Sequence, residues 1–127
     1  MGIEQIRAIC LHLPGASEDI KWEHDLVFSV GDKMFCVASL EPPLRCSFKV
    51  REEEFEELSQ QPAFIPAPYL ARAKWVQVVA PMQLNRGRWE SYIKTSYQLV
   101  ASKLSKKKQI ELGVAKPESF LIKKPNL

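Results

Sequence analysis

Few residues in this chain have the types and spacing that chemistry needs. Glu23, His24 and Asp25 are consecutive, and carboxylates beside an imidazole are common material for acid–base catalysis. In a strand, neighbouring side chains point to opposite faces, so these three form one cluster only where the backbone is irregular. Cys10, Cys36 and Cys46 contain no CxxC pair, and neither His12 nor His24 has a cysteine at zinc-ligand spacing. Each cysteine falls inside an apolar pattern, which predicts buried, unpaired, reduced thiols in a cytoplasmic protein and no metal or other cofactor. The sequence has no G-x-S-x-G elbow, no P-loop and no dinucleotide fingerprint. The expectation is a protein that is not an enzyme and has no catalytic residue.

Cations and aromatic rings are the remaining candidates. Lys33, Lys49 and Lys74 fall on neighbouring predicted elements, and Trp22, Tyr69 and Trp75 could supply ring faces beside them. Lysine or arginine with exposed aromatics grips a phosphate backbone and stacks on bases. Arg72, with Arg86 and Arg88 at the start of the last long helix, completes the set expected to contact phosphates. Each residue also has a plain reading. Lys33 opens a strand beside a turn, where a charge is ordinary, and aromatics in a small domain are commonly core. Ser96-Tyr97 is either a polar pair facing a pocket or a structural pair. In the second case Ser96 lets a helix approach the sheet and Tyr97 buries its ring with a wet hydroxyl.

Charge is unevenly distributed. Residues 1–100 carry 11 Lys and Arg against 13 Asp and Glu, whereas residues 101–127 carry 7 against 2. The pI of about 8.8 therefore reflects the C-terminal part and not a broadly basic body. The acidic run Glu52–Glu57 reads as a solvated helix face that would repel DNA. Lys103, Lys106, Lys107 and Lys108 read either as favourable charges at a helix C-terminus or as a basic arm.

These residues need elements to hold them. Ile3, Ile6, Cys10 and Leu13 recur at helical spacing, and Pro14-Gly15 ends that helix. Residues 26–30 and 33–38 flank Gly31-Asp32, a two-residue hairpin signal that predicts positive φ at Gly31. Residues 44–50 alternate Arg45, Ser47, Lys49 with Cys46, Phe48, Val50, a strand with one wet and one packed face. A charged helix over 51–58, an irregular Pro-rich stretch, a strand over 75–79 and a long helix capped by Asn85 follow. The order is about α-β-β-β-α-β-α. It predicts an α+β, two-layer domain over residues 1–113, an antiparallel sheet with helices packed on one face, and a loose tail over 114–127. The 127 residues suit one domain; no membrane span or signal segment is read, and a monomer is expected.

Five stretches together resemble the MmcQ/YjbR family of small bacterial proteins. They are Pro14-Gly15-Ala16, Gly31-Asp32-Lys33-Met34-Phe35, Phe48-Lys49, the run PAPYLARAKWVQV at 66–78, and Ser96-Tyr97. The resemblance covers about residues 1–112. It implies a compact α+β fold similar to the CyaY-like and secretion-chaperone-like folds. It also implies DNA binding through a double-wing arrangement, and it brings no catalytic residues. An interaction module for a protein partner is the alternative that the chaperone-like fold suggests.

Overall fold

The computed structural model describes residues 1–114; the expected loose tail lies outside them except for Val114, which is buried. The apolar spacing of the first segment forms α1 (Ile3–Leu11), which buries Ile6 and Cys10. Three strands follow, β1 (Ala16–Lys21), β2 (Asp25–Val30) and β3 (Lys33–Ser39), then β4 (Cys46–Lys49). After α2 (Glu52–Ser59) come β5 (Phe64–Pro66), a 3-10 turn at Ala71–Ala73 and β6 (Trp75–Val78). A second 3-10 turn at Pro81–Gln83 leads to α3 (Arg86–Ala101) and α4 (Lys106–Leu112). All six strands form one antiparallel sheet in the order β1-β2-β3-β4-β6-β5.

The fold is the expected α+β arrangement, with two strands more than the residue pattern shows. β1 is polar and exposed along almost its whole length, so it lacks the alternation that marks a half-buried strand. β5 is three residues ending in Pro66, as an edge strand allows. The core lies between the sheet and its helices. Phe28, Cys36, Phe48 and Val76 form one row of cross-strand neighbours facing α1 and α3. Trp89, Ile93 and Tyr97 of α3 pack onto this face.

The Gly31-Asp32 hairpin has positive φ at both residues, 58° and 66°, as a type I′ turn requires. A Cβ on Gly31 would lie 2.7 Å from Cδ1 of Leu104, the far end of a side chain that can rotate. Gly31→Ala is therefore expected to cost about 1–2 kcal/mol, mostly left-handed backbone strain, measured by urea unfolding. The three cysteines are buried and free, and Cys36 Sγ lies 3.5 Å from Cys46 Sγ. A hydrogen bond that the Cys36 thiol gives to Cys10, together with burial, pushes that thiol well above its ordinary range. A hydrogen bond with Cys36 and burial do the same to Cys46.

The C-terminal lysines do not end the long helix. α3 stops at Ala101, and Lys106–Lys108 open a separate short helix whose N-cap Ser105 accepts from the Lys108 N–H at 3.1 Å. Ser105 was the capping signal for this break. The three ammonium groups sit at a helix N-terminus, where the macrodipole opposes them rather than favours them.

Candidate nucleic-acid interface

The strands' alternation gives the sheet a second face, which carries no α-helix among the described residues. One row crosses it from edge to edge: Asp19, Val27, Val37, Ser47, Gln77 and Ile65. A cleft of about 540 Å³ lies over this face. Val37 and Met34 supply apolar lining, and Asp25, Ser47 and Gln77 supply polar atoms. The segment Pro68–Leu70 walls it on one side, and Trp22 borders it from the β1–β2 turn. Ser47, expected on a wet face, is only 6% exposed, and its Oγ accepts from Gln77 Nε2 at 3.3 Å.

The aromatic candidates separate sharply. Tyr69 is fully exposed and Trp22 is 62% exposed, so both offer ring surface to a ligand. Trp75 is 5% exposed and can only pack. Both exposed rings sit on left-handed backbone, with φ of 53° at Trp22 and 68° at Tyr69. Bulky residues rarely adopt that conformation.

The cations divide into two groups. Lys33 begins β3, Lys49 ends β4 and Lys74 precedes β6, so the antiparallel order places them at one end of three adjacent strands. Arg72, in the 3-10 turn just before Lys74, belongs to the same end. Lys49 Nζ donates to the Ala73 carbonyl, and Lys74 Nζ lies 5.0 Å over the Phe55 ring. Partial burial, with the charge of Lys103 second, holds the Lys49 ammonium below its ordinary pKa. Lys103 therefore joins this basic end, which no local sequence signal linked to β4. Among the described residues, none of Lys33, Lys49, Arg72 and Lys74 forms an ion pair with a carboxylate.

Arg86 and Arg88 lie elsewhere, on the helical layer at the start of α3. Arg86 Nε donates to Glu90 Oε2 at 2.9 Å and borders a groove between α1 and α3. Arg88 donates to the Tyr92 hydroxyl at 2.9 Å and caps that ring. The Glu23–Asp25 segment is irregular, with φ of 67° at Glu23. His24 faces Glu41 at 3.7 Å, while Asp25 lines the cleft. Among the described residues, no group of three or more His, Cys, Asp or Glu is placed to hold a metal, and no helix is long and apolar enough to cross a membrane.

Ser96 and Tyr97 are structural in this geometry. Ser96 Oγ donates to the Phe35 carbonyl at 2.6 Å and accepts from the Lys49 N–H at 2.9 Å. Tyr97 buries its ring as expected. Its hydroxyl, expected to be wet, instead donates to the Pro14 carbonyl at 2.6 Å.

A six-stranded antiparallel sheet with helices on one face and an aromatic-edged cleft on the other defines a small α+β domain. The YjbR family model matches residues 11–99, and the chain belongs to that family. It is similar to the Deinococcus radiodurans protein DR2400, described as carrying a DUF419 domain. The identity is 30% and the TM-score 0.81, covering 89% of this chain and 88% of that one. A Pseudomonas syringae protein solved as a structural-genomics target is similar in fold. There the identity is 21% and the TM-score 0.67, covering 79% of this chain and 99% of that one. No curated protein matches the sequence.

Proposed function

We propose that this protein is a non-catalytic, cytoplasmic DNA-binding module that contacts phosphates through the basic end of its sheet. The observation carrying this reading is the group of four cations, Lys33, Lys49, Arg72 and Lys74, at one end of β3, β4 and β6, without a carboxylate partner among the described residues. Uncompensated charge is available to phosphates, whereas Arg86 is already neutralised by Glu90. The acidic first turn of α2, Glu52–Glu54, sets one limit to the footprint, because it repels a polyanion.

Four neutralised phosphates give a log–log dependence of affinity on salt of about −3 to −4. Titration of labelled DNA at several salt concentrations measures it. Lys49→Glu with Lys74→Glu should abolish binding with the circular dichroism unchanged, while Arg86→Ala should leave the slope intact. Removing residues 115–127 takes away three lysines, and most of the slope should survive. Loss of binding with that segment alone would reduce the interaction to a basic-arm effect. A second reading, a protein-interaction module, is favoured by the apolar lining of the cleft. Absence of any salt-sensitive nucleic-acid binding would select it.

A further inference from the structure

We infer that the nucleic acid this protein takes is single-stranded, with its bases seated in the cleft on the outer face of the sheet between Trp22 and Tyr69. This rests on the reading of the basic end as a phosphate site and names the form of the ligand.

The shape of the surface is the first argument. Reading a duplex requires a projecting helix or ribbon that enters a groove. The surface beside the cations is instead a concave cleft in the sheet. Exposed ring faces are the second. In a duplex the faces of the bases are covered by their neighbours, so stacking side chains have nothing to meet. In a single strand each base offers a face to an aromatic ring. Among the described residues Trp22 and Tyr69 are the most exposed aromatics, and both border this cleft.

Backbone strain is the third argument. Left-handed φ at a tryptophan and a tyrosine is unfavourable, and glycine or asparagine would relieve it. Residues held in such conformations cluster at ligand sites. Tyr69 gains no burial in return, since its side chain is fully exposed. Chemistry and continuity complete the case. Asp25 accepts hydrogen bonds, and Gln77 and Ser47 donate and accept, as the edges of unpaired bases require. The floor residue Met34 follows Lys33 directly, and the wall residue Tyr69 lies three residues before Arg72. A strand with its bases in the cleft therefore has its phosphates beside the basic end.

The test compares an oligothymidylate, a mixed-sequence single strand and a duplex of equal length with the intact protein. Trp75 and Trp89 are buried, so quenching of the exposed Trp22 reports entry into the cleft. The single strands should bind at least tenfold more tightly than the duplex at the same salt and should quench that fluorescence. Trp22→Ala and Tyr69→Ala should each weaken single-strand binding about five- to hundredfold, the loss of one stacked base, with the salt slope unchanged. Tyr69→Gly should lose the same affinity while unfolding at no lower temperature, because it removes strain and no buried contact. That variant separates a binding role from a folding role. Equal binding of single strand and duplex, or full single-strand affinity in both alanine variants, would overturn the inference while leaving phosphate binding intact. No binding of either form would remove the phosphate reading together with it.

Discussion

Replacing Ser96 with alanine is expected to lower the unfolding free energy by about 2–4 kcal/mol, a large share of the stability of a domain this size. The side chain is small and fully buried, so the lost packing is slight. The loss lies in hydrogen bonding. The β2–β3 register shifts between Phe28 and Ser29, pairing Phe28 with Cys36 and Ser29 with Met34, so Phe35 is the extra residue of a bulge. Its carbonyl accepts from Ser96 Oγ, which in turn accepts from the Lys49 N–H at the end of β4. One hydroxyl thus joins α3 to two strands. Alanine leaves a buried carbonyl and a part-buried N–H without that partner, and an orphaned buried group costs about 1–3 kcal/mol, the part-buried one less. Urea unfolding of Ser96→Ala beside Ser102→Ala measures this. Ser102 is exposed at the helix end and should cost little. A loss below about 1 kcal/mol for Ser96→Ala would mean that water replaces the hydroxyl at the bulge.

The family stretches acquire physical meaning from that joint. Ser96 reaches Phe35 and Lys49, and Tyr97 reaches Pro14 while its ring meets Phe35 edge-on at 5.4 Å. Four of the five stretches therefore meet at one fastening of helix to sheet. The fifth, 66–78, supplies Tyr69, Arg72, Lys74 and the buried Trp75 beside the cleft. The stretches were visible in the sequence, but their division between fold and site was not. Ser96 and Phe35 are 61 residues apart, and no periodicity links a helix hydroxyl to a bulged carbonyl.

The same limit governs the candidate site. The Gly31-Asp32 hairpin was legible because period-two alternation and turn chemistry are local. β1 was not, because an exposed polar edge strand has no apolar face to alternate. Tyr69 and Trp75 looked alike as aromatics of the one run 66–78. The register of β6 against β4 and the segment preceding it bury one and leave the other in solvent. Arg86 and Arg88 shared their chemistry with Lys49 and Lys74, yet α3 carries them to the other layer. Charge type is readable along a chain, whereas the surface a charge joins depends on contacts distant in sequence.

Gly15 and Gly113 provide a matched pair in which the surroundings differ and the backbone does not. Their φ values are 73° and 75°, so alanine meets the same left-handed penalty at both, about 1–2 kcal/mol. At Gly113, the C-cap of α4, a Cβ would meet nothing within 4 Å, and the cost should stop there. At Gly15 a Cβ would lie 2.9 Å from both the carbonyl oxygen and the Cβ of Leu112. A carbonyl oxygen cannot rotate away as a side-chain methyl can, so the end of α4 must shift as a body. Leu112 packs against the core and Val114 is buried in it, so that shift disturbs packing and adds about 1–3 kcal/mol. Gly15→Ala is expected to cost about 2–5 kcal/mol in total, well beyond Gly113→Ala, by urea unfolding of the two variants in parallel. Hydrogen exchange locates the effect. The Val114 N–H, bonded to the Gln109 carbonyl at 2.8 Å, should exchange faster in Gly15→Ala while amides of the central strands slow or quicken only with global stability. Equal costs at the two glycines would show that α4 yields freely, and that its docking on the Pro14-Gly15 turn contributes little to holding the helical layer on the sheet.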